Sequence, residues 1–216
     1  LRAEAQPGFE GLQCLSSPYD GAQTTQERQI RTLVEWLRAA LAPYPPLREL
    51  MEVDPPEICV AERLFGIQAY YEPENHRMVL RETLSPALMG AIAVHELRHV
   101  HQARLGACPN PDLSMDATAR VTLAMEADAS AVSLAIAWEL RARGEPATWD
   151  ALAAWPSHTV LAQAFETEIL ESHDIALATG AAFAAWYDID WLRESYYVAA
   201  CSAYLDREDE THALPR

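Results

Sequence analysis

The chain has 216 residues, half of them hydrophobic and 22% charged, with a formal net charge of −16. That length and composition supply one ample core and exclude a disordered chain. The acidity leaves no basic patch to neutralise phosphates, so a nucleic-acid binder is excluded, and an anionic membrane surface would repel the protein.

All sixteen basic residues are Arg. Without lysine there is no Schiff-base, Walker-type or Ser–Lys chemistry. The longest apolar stretches are interrupted by Glu, Asp or Arg, so no membrane-inserted helix is expected. The chain begins at Leu1 rather than Met, as a mature exported protein does. An exported or periplasmic location is therefore slightly favoured over a cytoplasmic one. The stretch GLQC, residues 11–14, is a poor lipobox because Gln13 stands where a small residue is expected. Cys14, Cys59, Cys108 and Cys201 form no CxxC pair. A zinc knuckle is excluded, which leaves two disulfides or four free thiols.

In chain order, Thr24 and Glu27 make a capping box ahead of an amphipathic helix that ends near Pro43. The stretches PYPPLREL and VDPP read as Pro-rich connections. Residues 66–82, GIQAYYEPENHRMVLRE, read as a β-hairpin turning at 73–75. Tyr70 and Tyr71 would lie on opposite faces of its first strand. Ser85 and Pro86 start a helix that runs to about Leu105, where Gly106 stops it. A long helix is expected from Ser114 to Arg143, ended by Gly144 and Pro146. Two or three more helices fill 147–205, punctuated by Pro156 and Gly180, before a polar, frayed tail. The expected fold is mainly α (α+β): a single domain over 1–216, with a small sheet beside the histidine-bearing helix and a helical C-terminal part.

That helix carries AVHELRHVHQ, residues 93–102. Residues four apart share a helix face, so His95 and His99 present two imidazoles to one point, with Glu96 flanking it. This is H-E-x-x-H: two nitrogen ligands for a metal, with a carboxylate placed to move a proton. His101 lies off that face. A catalytic zinc needs a third protein ligand. Gln102 and Leu105 stand where the metzincin pattern has Gly and His, so that class is excluded. Glu126, in the Ala-rich stretch MEADASAV of the next helix, is the leading third ligand, and Asp128 is its rival.

HELRH followed by E-x-x-A at Glu126–Ala129 resembles the gluzincin group of zinc metallopeptidases. More narrowly, HELRHVHQ with EADASA is similar to a bacterial family of uncharacterised metallopeptidase domains. The likeness covers roughly residues 60–135, the expected metal-binding core. It implies a zincin-like helical fold and one Zn²⁺ per chain held by His95, His99 and Glu126. It further implies Glu96 as the proton-transferring catalytic group, and a peptide or protein substrate. It also implies a strand beside the cleft that pairs with extended peptide, and HRMVLRE, residues 76–82, is placed for that role. Two positions depart from the pattern. Arg98 stands where the wider consensus is uncharged, and Ser130 stands where many gluzincins have an Asp orienting a ligand histidine. The donor for a developing oxyanion is open among His158, His173, Tyr187, Tyr196 and Tyr197. The alternative function is a zinc-binding or regulatory domain without turnover, which a cleft filled by the protein's own chain would favour.

Overall fold

The computed structural model of the chain describes residues 8–110 and 112–211; the expectations for Leu1 and for residues 212–216 of the tail lie outside them. The described residues form eight α-helices and one four-stranded sheet. The fold is mainly α, as the helical periodicity of the sequence predicts.

The capping box forms as expected. Thr24 accepts from the Glu27 N–H, the Glu27 side chain reaches back to the Thr24 N–H, and α1 spans Thr25–Ala40. Residues 45–53 correct the sequence reading, because α2, Pro45–Val53, occupies what was expected to be a connection. Pro45 and Pro46 stand in the first turn, where a missing N–H is tolerated. Leu47, Leu50 and Met51 then bury one face.

Two further strands were not anticipated. β1, Phe9–Leu15, pairs antiparallel with β2, Glu57–Leu64, and Cys14 and Cys59 sit opposite one another in that register. They form a disulfide, while Cys108 and Cys201 are free thiols, so the pairing is neither of the two patterns expected. The hairpin forms as expected, from β3, Ala69–Glu72, a 3₁₀ turn at Pro73–Asn75, and β4, Arg77–Arg81.

The sheet order is β1-β2-β4-β3, with β2 and β4 parallel. Ile58, Val60, Met78 and Leu80 face the helices, while Cys59, Ala61 and Val79 face the other side, as period-two alternation requires. β4 therefore lies inside the sheet, hydrogen-bonded on both sides. The expectation that residues 76–82 offer an edge to substrate is overturned, because β2, which was not foreseen, takes that edge. The outer strands are β1 and β3, and β3 is the one beside the cavity.

α3, Pro86–Arg104, starts on the Ser85 side chain, which accepts from the Leu88 N–H. It is buried nearly all round, by Met89, Val94, Leu97 and Val100 among others. Gly90 lets it lie close to Trp36 of α1; a Cβ there would come within 2.7 Å of the ring. α4, Met115–Ala142, begins on Ser114. Gly106 and Gly144 follow α3 and α4 with φ of 70° and 92°, the left-handed geometry that ends helices at glycine.

By length and composition α4 is apolar enough to cross a membrane, which the sequence reading did not foresee, but 72% of its most apolar window is buried inside the protein. Its alanines pack against α5, Ala147–Ala153, α6, Thr159–Ser172, α7, Ile175–Trp186, and α8, Asp190–Glu210, around Trp149, Phe165 and Trp186. Gly180 lies within α7 rather than breaking it, and α8 absorbs residues 206–210 of the expected tail.

Candidate metal centre

α3 and α4 run in opposite directions: Gln102 bonds to Met125, whereas Arg98, one turn earlier, bonds to Asp128 one turn later. That crossing sets Glu126 against the two imidazoles. His95 Nε2 and His99 Nε2 are 3.0 Å apart. Glu126 Oε2 lies 3.4 Å from His95 Nε2, and Glu126 Oε1 lies 3.4 Å from His99 Nε2. Ligand atoms about 2.0–2.1 Å from a tetrahedral centre sit roughly 3.3 Å from one another, so the three donors fit one small cation. Each group offers one ligand atom, and all lie within 4.8 Å of one another.

The electrostatics agree with that fit. Burial alone would lower the His99 pKa, but attraction and hydrogen bonding to Glu126 outweigh it and push the value up to about 9. Burial works to raise the Glu126 pKa, yet His99 and His95 hold it well below the usual carboxylate range.

Glu96 is buried beside the cluster. Desolvation raises its pKa; His99 and His95 offset this in part, Glu126 adds to it, and the Tyr71 N–H of β3 points at the carboxylate and lowers it. A carboxyl group so tuned can both take and return a proton.

Asp128 is not in the cluster. Arg98 Nε and Nη2 donate to its two oxygens at 2.6 and 3.1 Å, and Gln102 Nε2 donates at 2.6 Å. The rival third ligand is therefore turned away and neutralised. Arg98 thus has a carboxylate partner, and Asp128 reaches His99 only through Gln102. His101 lies beside Arg98, which donates to its Nδ1 at 2.6 Å.

The cluster forms the floor of a cavity of about 440 Å³ between β3 and α8, lined on the strand side by Ala69, Tyr70 and Tyr71 and on the helix side by Trp191, Tyr196 and Ala199. Tyr71 packs towards the helices and Tyr70 towards the opposite face of the sheet, the alternation expected of them. Of the five candidate oxyanion donors, Tyr196 lines this cavity. His158 lies near His95, and burial with that neighbour lowers its pKa to about 3, so it is neutral. Its Nδ1 is 2.9 Å from Ser157 Oγ. His173 is exposed at the left-handed end of α6, and Tyr197 faces outward. Tyr187 packs on Phe183 and Trp186.

The sequence reading missed the role of Gln102 and the α8 wall. The first was legible, since residues three apart on a helix are neighbours. The second depends on tertiary packing across some 65 residues of chain and left no local signal.

Two imidazoles and two carboxylates gathered at the floor of an open cavity make a candidate metal-binding site. The chain matches, over residues 3–216, the family described as "Putative metallopeptidase family (DUF6782)", and it belongs to that family. Membership implies a bound metal and a peptide or protein substrate. Searches of curated proteins and of solved structures found no match.

Proposed function

We propose that the protein is a zinc-dependent peptidase of the HExxH gluzincin type, with His95, His99 and Glu126 as the metal ligands and Glu96 as the proton-transfer group. The observation that carries this reading is the convergence of two Nε2 atoms and both Glu126 oxygens at 3.0–3.4 Å, beside a second, buried carboxyl, that of Glu96. Two nitrogens and a carboxylate in tetrahedral spacing, with an open side on the cavity, suit a catalytic zinc better than a closed structural one. When bound, zinc would polarise a peptide carbonyl and make a neighbouring water more acidic.

The chain's own groups supply the rest. Glu96 accepts the proton of the attacking water and delivers it to the departing amine, the cycle that its raised pKa favours. β3 holds the peptide. Gln68 accepts from the Arg81 N–H, and Tyr70 and Glu72 stand opposite Val79 and Arg77, so the alternate residues Ala69 and Tyr71 turn their backbone groups to the free edge. The Tyr71 N–H is directed at Glu96, leaving the Ala69 N–H and both carbonyls for an extended substrate. From the opposite wall, Tyr196 is the group best placed to donate to the carbonyl oxygen as charge develops there. A cavity left open by the described residues favours turnover over a zinc-holding domain that blocks its own cleft.

The roles of the two glutamates separate by experiment. With zinc content measured alongside cleavage of a quenched-fluorescence peptide library, Glu96→Gln retains zinc and lowers turnover at least 10²-fold, while Glu126→Gln lowers zinc affinity. Zinc loss in Glu96→Gln with full retention in Glu126→Gln would reverse the assignment.

A further inference from the structure

We propose that Gln102 is a positioning residue that fixes the tautomer of His99 and locks α3 to α4 at the third ligand, and that Asp128 and Arg98 act through it. The inference rests on the metal reading above and concerns residues that touch neither metal nor substrate.

Gln102 is buried, and its amide makes three hydrogen bonds. Nε2 donates to the Met125 carbonyl at 3.0 Å and to Asp128 Oδ2 at 2.6 Å, and Oε1 lies 2.8 Å from His99 Nδ1. Amide oxygen and nitrogen have similar shapes, so chemistry must assign them. A backbone carbonyl and a carboxylate have no hydrogen to give, and both lie on one side of the amide. The nitrogen must face them, and Oε1 is left facing the imidazole. Oε1 can only accept. In neutral His99, Nδ1 therefore carries the hydrogen, and the lone pair is left on Nε2, the atom directed at His95 and Glu126.

Asp128 reinforces the orientation that the Met125 carbonyl also sets, and Arg98 holds Asp128 with two hydrogen bonds. The carboxylate charge stands one hydrogen bond further from the imidazole than a direct Asp–His pair would place it, and the guanidinium neutralises it. Met125 immediately precedes Glu126, so the same amide that orients the second ligand also fixes the helix position of the third. Hydrogen-bond partners of ligand histidines carry about 10–100-fold in metal affinity.

The test is zinc affinity, read by competition with a chromophoric chelator, on the full chain and on Gln102→Met, Asp128→Asn and the double variant. Melting curves of the metal-free proteins report folding separately. Gln102→Met is expected to bind zinc about 10–100-fold more weakly. Asp128→Asn is expected to lose roughly three- to tenfold, because one of the two acceptors that hold the Gln102 amide becomes a neutral group, and the loss disappears in the Gln102→Met background. Unchanged affinity in Gln102→Met, or an Asp128→Asn loss that persists at full size in the double variant, would overturn the proposal. Should Gln102→Met not fold, Asp128→Asn decides alone, and wild-type affinity in it overturns the proposal. If the wild-type chain itself takes up no zinc, the metal reading and this one fall together. Wild-type uptake with no effect of Gln102→Met sinks this one alone.

Discussion

The floor of the cleft and its walls are held by different forces. On the floor, α3 and α4 bring six polar side chains together, and each is tied to another: His95 and His99 to Glu126, Gln102 and Arg98 to Asp128, His99 to Gln102. A buried polar group without a partner costs about 1–3 kcal/mol, so each of these groups constrains the next and the geometry has few alternatives. The walls are different. β3 is a four-residue edge strand, and the facing stretch of α8 presents Trp191 with 55% of its surface exposed. Backbone groups and apolar surface dominate there, which suits a surface that must accept a partner. The polar floor is tightly constrained and the walls are open.

The sharpest way to break that comparison is to exchange the two strands of the hairpin. Met78 faces β2 and Val79 faces β3 in the ladder, so a proline at either removes a hydrogen bond from inside the sheet. Met78→Pro or Val79→Pro is expected to destabilise the fold by about 3 kcal/mol or more, measured by urea unfolding. Variants as stable as the parent would mean that β4 is not interior.

The floor has a pH signature. In the metal-free protein the His99 pKa stands near 9, above its ordinary 6.5. A raised histidine pKa contributes stability that is fully present below 6.5 and is lost as pH rises through about 9. Zinc uptake has the opposite sign, because the ion must displace that proton. Affinity is expected to rise about tenfold per unit from pH 6 to pH 8 from His99 alone, as followed by calorimetry with buffers of different ionisation enthalpy. Affinity independent of pH would place the proton elsewhere.

The walls should respond more gently. Ala69→Pro removes one N–H from the free edge of β3 without touching the ladder to β4. Binding of a non-cleavable peptide inhibitor is expected to weaken about tenfold, the worth of one hydrogen bond, with zinc content unchanged. Equal inhibitor affinity would move the substrate off this strand and towards α8.

The same contrast explains what the sequence disclosed. Histidines four apart, a serine cap with Pro86 behind it and glycines at 106 and 144 act within a turn or two of helix, so α3, α4 and the pairing of His95 with His99 could be read directly. Glu126 needed only one further step, a helix returning past the first. The sheet order could not be read this way. β2 is an edge or an interior strand only once β1 and β4 are known to flank it, and without it β4 reads as an edge when it lies inside the sheet. Arg98 was visible as an anomaly and Asp128 as a rival ligand, but their pairing depends on where two helices cross. The cysteines illustrate the same limit, since Cys14 and Cys59 pair through a register that spacing does not reveal.

The central claim is that one metal ion belongs between His95, His99 and Glu126. Anomalous scattering at the zinc absorption edge, from crystals of the protein purified with zinc, tests it most directly. The expected result is a single strong peak per chain between those three side chains, absent in His95→Ala and His99→Ala crystals. A peak elsewhere, or one that survives both substitutions, would contradict the account.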